Sequence, residues 1–485
     1  MSTISQVALT AEDLLQLADD GLRHELIQGE LTTMPPMTTS TRSFRCFLVL
    51  LVLSVSWPAL AMEKNTAYQA ALDTISAEEM FQTVDILASP KFEGREAGTA
   101  AGHASGDYLV QQFRKLPLKP AGEKQGYFQP FGNNFRNILV LLPGSDASLK
   151  DQVIIVGAHY DHLGHGRNNP PGTIFPGADD NASGTSGVVE LARAFSSLPA
   201  APKRSILFIC FDGEEKGLLG SKHWTANPTL PLPRVKFMLN LDMIGALRAD
   251  RVMVFGTRTA PGLRRMASMS NQEGNLTLDF TWLLQANADH YSFIDRGIPA
   301  IFLHTDLHER YHRPTDVAAK INREGMMRVA KLAFAMLYTE ADAPLLPRFR
   351  AASKAEKEDS HRRLEAAEPL PLRAGNSPLR LGISWRLDDA EPDTVIVSQV
   401  VAGSPAAAAG LRVGDRIYRV GGQDFADDNA FAQLARTLPG PLELVVERDG
   451  RLRTLVLRFP GKDALRVSRI LLGRENNLRS TDFSP

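Results

Sequence analysis

The sequence predicts an α/β fold, a mixed and largely parallel sheet flanked by helices, followed by a smaller β-rich unit. Three observations carry this. Apolar runs such as Val153–Val156 and Ile206–Phe211 are too short for solitary helices and rich in β-branched residues, so they read as buried strands. Helical segments such as Ser186–Phe195 separate them, and that alternation is the signature of an α/β domain. From Leu379 onward the pattern changes to short strands with a single helix.

Before the first buried strand, Thr74–Leu87 is amphipathic and predicted helical. Leu87–Thr99 is a loop rich in turn formers, and Ala101–Leu116 is a second helix. Phe128–Pro143 contains a strand at Asn137–Leu142 that ends at Pro143-Gly144. The alternation continues to about Leu337, which gives one domain over residues 62–340. Between Ala341 and Asn376 the composition shifts. Lys354–Glu368 is densely charged and Pro369 and Pro371 follow, so residues 341–376 read as a linker or a solvated helix. The sequence therefore predicts two separable units. In the second, residues 377–460, the strands are Leu379–Trp385, Thr394–Val400, Asp415–Val420, Leu442–Arg448 and Arg453–Phe459. Asn429–Thr437 is its helix, and residues 461–485 are a tail.

The chain has 485 residues, 44% hydrophobic and 22% charged, with a formal net charge of -1. A sizeable core is available, and there is no global basic field for nucleic acid. Residues 37–61 have the form of an export signal. Arg42 and Arg45 precede the apolar run Cys46–Val55, and Ala59-Leu60-Ala61 fits a small-x-small cleavage site. That run is about half the ~20 residues needed to span a bilayer. The expectation is an exported protein, periplasmic or extracellular, with no transmembrane span once mature. Cys46 leaves with the signal, so Cys210 has no intramolecular partner, and its apolar strand makes it a buried, inert thiol. Ahead of the signal, Leu9–Leu31 resembles the opening of the Uma2-type putative endonucleases. The downstream carboxylates of that fold have no counterpart, so residues 1–36 read as a wrongly assigned start or a gene-fusion remnant.

The chemistry is expected between Val153 and His312, where acidic or histidine-bearing segments follow the apolar runs. His159, Asp180, Glu215, Asp242 and His312 are the nitrogen and oxygen donors that divalent metals take. Converging carboxylates without a cation would neutralise or disperse, because burying isolated charges costs on the order of tens of kcal/mol. Spacing alone does not separate Asp179 from Asp180 as a shared ligand. His162, His165, His304 and His308 are surplus histidines, expected at the surface or behind the ligands.

The segments G-A-H-Y-D-H, G-A-D-D-N, F-D-G-E-E, L-N-L-D-M and R-Y-H-R-P-T-D, in this order, resemble the M28 family of co-catalytic metallopeptidases. The resemblance covers about Thr74 to Leu337 and implies a zinc-exopeptidase-like fold. It implies two zinc ions, other divalent metals being compatible, held by His159, Asp180 as the bridge, Glu215, Asp242 and His312. It makes Glu214 the general base, and Asp161 the group that orients His159. Asp289-His290, ahead of F-I-D-R-G-I-P-A, lines the site on the same likeness. The activity implied is hydrolysis of peptides or proteins, most often by an aminopeptidase. Carboxypeptidases and one-zinc glutaminyl cyclases share the site type. The run G-S-P-A-A-A-A-G-L-R-V-G-D (Gly403–Asp415) resembles the PDZ family. On that likeness Leu381, Gly382 and Ile383 form the loop that takes a peptide C-terminus, bound by strand addition. The reading from another class is a peptide-binding protein whose catalytic fold is a scaffold, which predicts a broken ligand set.

Overall fold

The computed structural model describes residues 23–27, 30–34 and 66–459, except 133, 167–169, 171, 273 and 366–379. Residues 37–61, expected to be an export signal, and the tail 461–485 lie outside the described residues. Within the Uma2-like stretch and just beyond it, β1 (Arg23–Ile27) and β2 (Glu30–Met34) pair antiparallel, with Ile27 opposite Glu30.

From Tyr68 onward the chain forms one compact unit built on a nine-stranded sheet. Its strands are β3 (Lys119–Pro120), β4 (Phe128–Phe131), β5 (Phe135–Leu142), β6 (Val153–His159), β7 (Ser205–Phe211), β8 (Val235–Leu241), β9 (Arg251–Phe255), β10 (Thr277–Phe280) and β11 (Ala300–His304). The order is β10-β9-β11-β8-β6-β7-β5-β3, with β4 beside β5. The central strands β11, β8, β6 and β7 run parallel, while β5 and β9 run antiparallel to β7 and β11.

β6 and β7 are buried along their whole length. Both faces of a parallel sheet are covered, so such strands read as continuous apolar runs. The two-residue period still sorts the side chains. Ile154, Val156, Phe208 and Cys210 pack with the helices Ala77–Leu87, Gly184–Ser196 and Arg323–Asp342. Ile155, Leu207 and Ile209 pack on the other face with Trp224 and Phe293. Helix ends follow their caps rather than periodicity. The expected helix from Thr74 starts at Ala77, because the Ser76 hydroxyl accepts the Glu79 amide. The second runs Ala100–Phe113 and is capped by Thr99. Among the described residues, no helix is long and apolar enough to cross a membrane.

The C-terminal unit is an antiparallel sheet of β12 (Ile383–Arg386), β13 (Val395–Val400), β14 (Arg416–Val420), β15 (Leu442–Arg448) and β16 (Arg451–Leu457), in that order. The helix Asp428–Thr437 packs Phe431 and Ala435 into its core. β12 begins later than Leu379, because Gly382 turns the backbone with φ at 77° and the Leu381 carbonyl accepts the Ala406 amide.

The expected separation between the units is not what forms. Just ahead of the charged stretch the chain packs down, where the Arg350 amide bonds the Thr259 carbonyl at 2.7 Å and Ser353 is buried. Within the stretch Glu358–Glu365 forms the solvated helix that the composition allowed, with Asp359, Ser360 and Arg363 exposed. The C-terminal unit adds backbone bonds across the seam, from Gly262 to Ala390 at 2.8 Å and from Leu278 to Gly450 at 3.0 Å. The buried pair Arg264–Glu447, 2.9 Å, joins them. Composition marks charge density, but a charged segment becomes solvated or braced according to the partners that tertiary packing brings to it.

Candidate metal centre

The carboxyl ends of the parallel strands converge, as ligand sites of open α/β sheets do. His159 ends β6, Asp212–Glu215 follow β7, and Asp242 follows β8. The chain after β11 brings His308, His312 and Asp316, and Asp180 lies in the turn before helix Gly184–Ser196. Two groups of donor atoms result, each within 4.8 Å: His159, Asp180 and Asp242, and His162, Asp180 and Glu215. His159 Nε2 lies 3.4 Å from both Asp180 Oδ1 and Asp242 Oδ1. His312 Nε2 lies 3.1 Å from Asp180 Oδ2 and 3.3 Å from Glu215 Oε2. Asp180 thus faces both groups. Glu214 stands beside them, its Oε2 4.0 Å from His159 Nε2.

Asp179 turns the other way. Its carboxylate accepts the Gly245 amide and the Ser183 hydroxyl and meets His308 Nε2 at 2.9 Å. Asp316 accepts the amides of both Asp179 and Asp180, which holds the turn. Asn181 takes the Gly184 and Met243 amides and donates to the Leu241 carbonyl, tying the turn to the end of β8. Gly177 sits at φ 59°, and a Cβ there would come within 2.1 Å of the Asp180 carbonyl and 2.5 Å of the His162 ring. Met243 and His312 also hold left-handed backbone, at 53° each, a strained state common at functional sites.

Asp161 does more than face His159. Its Oδ1 is 3.6 Å from His159 Nδ1, which is closer to the Asp161 carbonyl, at 3.2 Å. The carboxylate accepts the Glu214 amide at 3.1 Å and the Glu215 amide at 3.4 Å. The carboxylate therefore holds the glutamate pair, while the His159 ring meets the Asp161 carbonyl.

Six carboxylates (Asp161, Asp180, Glu214, Glu215, Asp242 and Asp289) stand at this place, all nine-tenths buried or nearly so. Burial pushes the Glu214 carboxyl well above its ordinary range, and Asp289, Asp242 and Glu215 push the same way. Burial likewise raises Asp289 to about 7. Burial disfavours the charged His312 ring, yet Asp180 and Glu215 outweigh it and raise its pKa to about 10. Asp180 is held well below its usual range: burial opposes this, and His162, His159 and His312 outweigh burial. Asp242 Oδ1 and His162 Nε2 are buried with no hydrogen-bond partner. Unsatisfied, acid-rich and lined by N and O donors, the site fits divalent cations.

The profile of peptidase family M28 matches residues 137–337, and that of the PDZ domain matches residues 396–448. A probable leucine aminopeptidase of Arthroderma otae is 30% identical over 276 residues, covering 54% of this chain and 72% of the relative. The chain belongs to peptidase family M28. A probable zinc metalloprotease of Pyrenophora teres f. teres is 26% identical over 345 residues, covering 58% of this chain and 70% of the relative. The crystal structure of Legionella pneumophila LapA aminopeptidase superposes with a TM-score of 0.48 at 24% identity, covering 57% of this chain and 75% of that one.

Around the M28 site the structure gives places to residues for which the sequence offered a general expectation, as for His162, His308 and Asp289, or none, as for Tyr311 and Arg95. His162 is buried, with Nδ1 2.8 Å from Glu215 Oε1, and His308 is buried on Asp179. Both lack a sequence signal, since a surplus histidine looks the same wherever it lies. Asp289 has both oxygens buried without a hydrogen-bond partner, and its charge adds to the upward push on Glu214. Tyr311 stacks on His312 at 3.8 Å. Arg95, fully buried in a turn-rich loop, donates to the carbonyls of Leu87, Tyr160, Pro176 and Gly177. It clamps the two chain segments that carry His159 and Asp180.

In the PDZ domain, Leu381 and Ile383 are buried beside the helix Asp428–Thr437, and Trp385 meets Phe431 edge-on at 5.1 Å. Gly382 carries the positive φ this loop needs, and a Cβ would come within 2.2 Å of Ser404. β12 ends the sheet, so its outer edge pairs with no strand among the described residues.

Proposed function

We propose that the protein is an exported aminopeptidase that uses two zinc ions to hydrolyse the first peptide bond of peptides with free amino termini. The observation that carries this is the pair of donor groups meeting at Asp180, with His312 3.1 Å from Asp180 and 3.3 Å from Glu215 beside the second, and Glu214 outside both. His159 and Asp242 would hold one zinc and Glu215 and His312 the other, with Asp180 available to both. His162 bonds Glu215 and so fixes its orientation. Zinc at these residues supplies Lewis-acid polarisation of the scissile carbonyl and lowers the pKa of the attacking water from about 15.7 towards ~7. Glu214 takes that water's proton and delivers it to the leaving amine. Asp161 keeps Glu214 and Glu215 diverging by holding their amides. The aminopeptidase names of the relatives favour this activity over carboxypeptidase action or glutaminyl cyclisation, and the complete donor set counts against a mere scaffold.

The PDZ domain receives an extended peptide end along the free edge of β12, with its carboxylate at Leu381–Ile383. Export uses residues 37–61, with the mature chain starting at Met62; amino-terminal sequencing of the exported protein tests this.

The deciding experiment is a panel of peptides with free and acetylated amino termini, read by mass spectrometry. Stepwise loss of the first residue from free peptides only, with about two equivalents of zinc by elemental analysis, is the expected result. Equal cleavage of acetylated peptides, trimming from the carboxyl end, or loss of ammonia from a Gln-terminated peptide overturns the reading.

A further inference from the structure

Arg258 lies outside the metal centre, and its buried guanidinium is the meeting point of three parts of the chain. One edge bonds both oxygens of Glu356, at 2.6 and 2.8 Å, in the segment after the peptidase domain. The other bonds both oxygens of Asp388, in the β12–β13 connection of the PDZ domain. Its face covers the Trp282 ring at 3.7 Å. Each partner is held in turn. Asp388 accepts the Ala390 amide, and Glu356 also pairs with Arg350. A planar fork with carboxylates on both edges and an aromatic on its face is a geometry that lysine cannot supply.

Trp282 opens the loop 281–289. At the near end the Thr281 amide bonds the Val254 carbonyl, and at the far end the His290 ring bonds the Leu284 carbonyl at 2.7 Å. The last residue of this loop is Asp289, buried, which leads directly into the helix His290–Asp295, and Phe293 of that helix packs on Phe211, the last residue of β7, with ring centroids 6.2 Å apart. The PDZ domain is thus two contacts from a loop that leads into the helix packed on the strand end ahead of Glu214 and Glu215.

We infer that the PDZ domain is a fixed buttress of the peptidase site: through Arg258 and Trp282 it sets the position of the loop 281–289 and thereby the binding of substrate. Arg258, Asp388 and Trp282 are positioning residues. This rests on the aminopeptidase reading for its kinetic readout, but not for its structural one.

The test uses the full mature chain with zinc. Asp388→Asn removes the charge on the PDZ side while keeping the shape. Asp393→Asn breaks a seam pair of the same kind, Arg265–Asp393 at 2.8 Å, which does not touch Trp282. Amide hydrogen exchange over residues 281–290 should accelerate in Asp388→Asn and stay at the wild-type rate in Asp393→Asn. On an aminoacyl anilide, Asp388→Asn should lose about 10- to 100-fold in kcat/KM, mainly through KM, with zinc content unchanged. Trp282→Ala, which leaves every ion pair in place, should reproduce both effects, and Trp282→Phe should restore them in part. This second variant decides the matter if Asp388→Asn fails to fold. Unchanged exchange and KM in Asp388→Asn or Trp282→Ala, or equal effects in Asp393→Asn, overturn the inference. A wild-type protein without aminopeptidase turnover would defeat the proposed function instead, and the exchange comparison would still decide the buttress.

Discussion

Replacing Glu214 by Gln exchanges one oxygen for an amide nitrogen and removes the proton acceptor. Glu214 stands outside both donor groups, and its nearest charged donor is His159 Nε2 at 4.0 Å. Zinc content should therefore be unchanged. General base catalysis contributes ~10²–10⁴-fold, which at 1.36 kcal/mol per tenfold is ~3–5 kcal/mol of barrier. Glu215→Gln should behave oppositely. Its carboxylate lies against His162 and His312, beside Asp180, so its loss should lower zinc occupancy and turnover together. A further mark separates the two. Burial and three neighbouring carboxylates oppose ionisation of Glu214, so the neutral Gln relieves a cost in the metal-free protein. Metal-free Glu214→Gln should then melt at or above the wild-type temperature at neutral pH. The assay is aminoacyl anilide hydrolysis at saturating zinc, beside elemental analysis and thermal melts. A Glu214→Gln protein that loses zinc while Glu215→Gln retains it, or one within tenfold of wild-type turnover, refutes the assignment.

Chelation should abolish activity, and in the metal-free protein the contribution of Asp289 to stability should depend on pH between 4 and 7. Asp289 rises from 3.8 to about 7 in the fold, so the native state holds its proton more tightly than the unfolded chain. This group's contribution to stability then falls as pH climbs through that window, and Asp289→Asn should remove that part of the dependence of the melting temperature on pH. Arg95→Ala strips four carbonyls of their donor at ~1–3 kcal/mol for each left unsatisfied, so denaturant melts should show a loss of several kcal/mol with weaker zinc binding. Ending the chain at residue 378 removes Asp388 and Glu447 from Arg258 and Arg264. Breaking one such buried pair costs ~3–5 kcal/mol, so a lower Tm is expected, and an unchanged one would show the seam contributes nothing.

The sequence by itself determined the alternation of strands and helices, the strands β6 and β7, and the order of the five segments that resemble family M28. Those features are local: a period of hydrophobicity, a turn residue, or a donor type directly after an apolar run. The sequence's likeness to family M28 also singled out His159, Asp180, Glu215, Asp242 and His312, where strand ends alone marked only the segments that carry them. The tertiary structure decided what depends on direction and distant partners. Only there does Asp179 turn to Gly245 and His308 while its neighbour Asp180 faces the histidines, since adjacent side chains share one sequence context. Only there does His162 leave the class of surplus histidines, and Arg95 become the clamp of two ligand-bearing segments. The same holds for the charged stretch after the peptidase domain. Its composition suits water as well as it suits Arg258, and the choice between them belongs to the residues packed around Glu356 and Asp388.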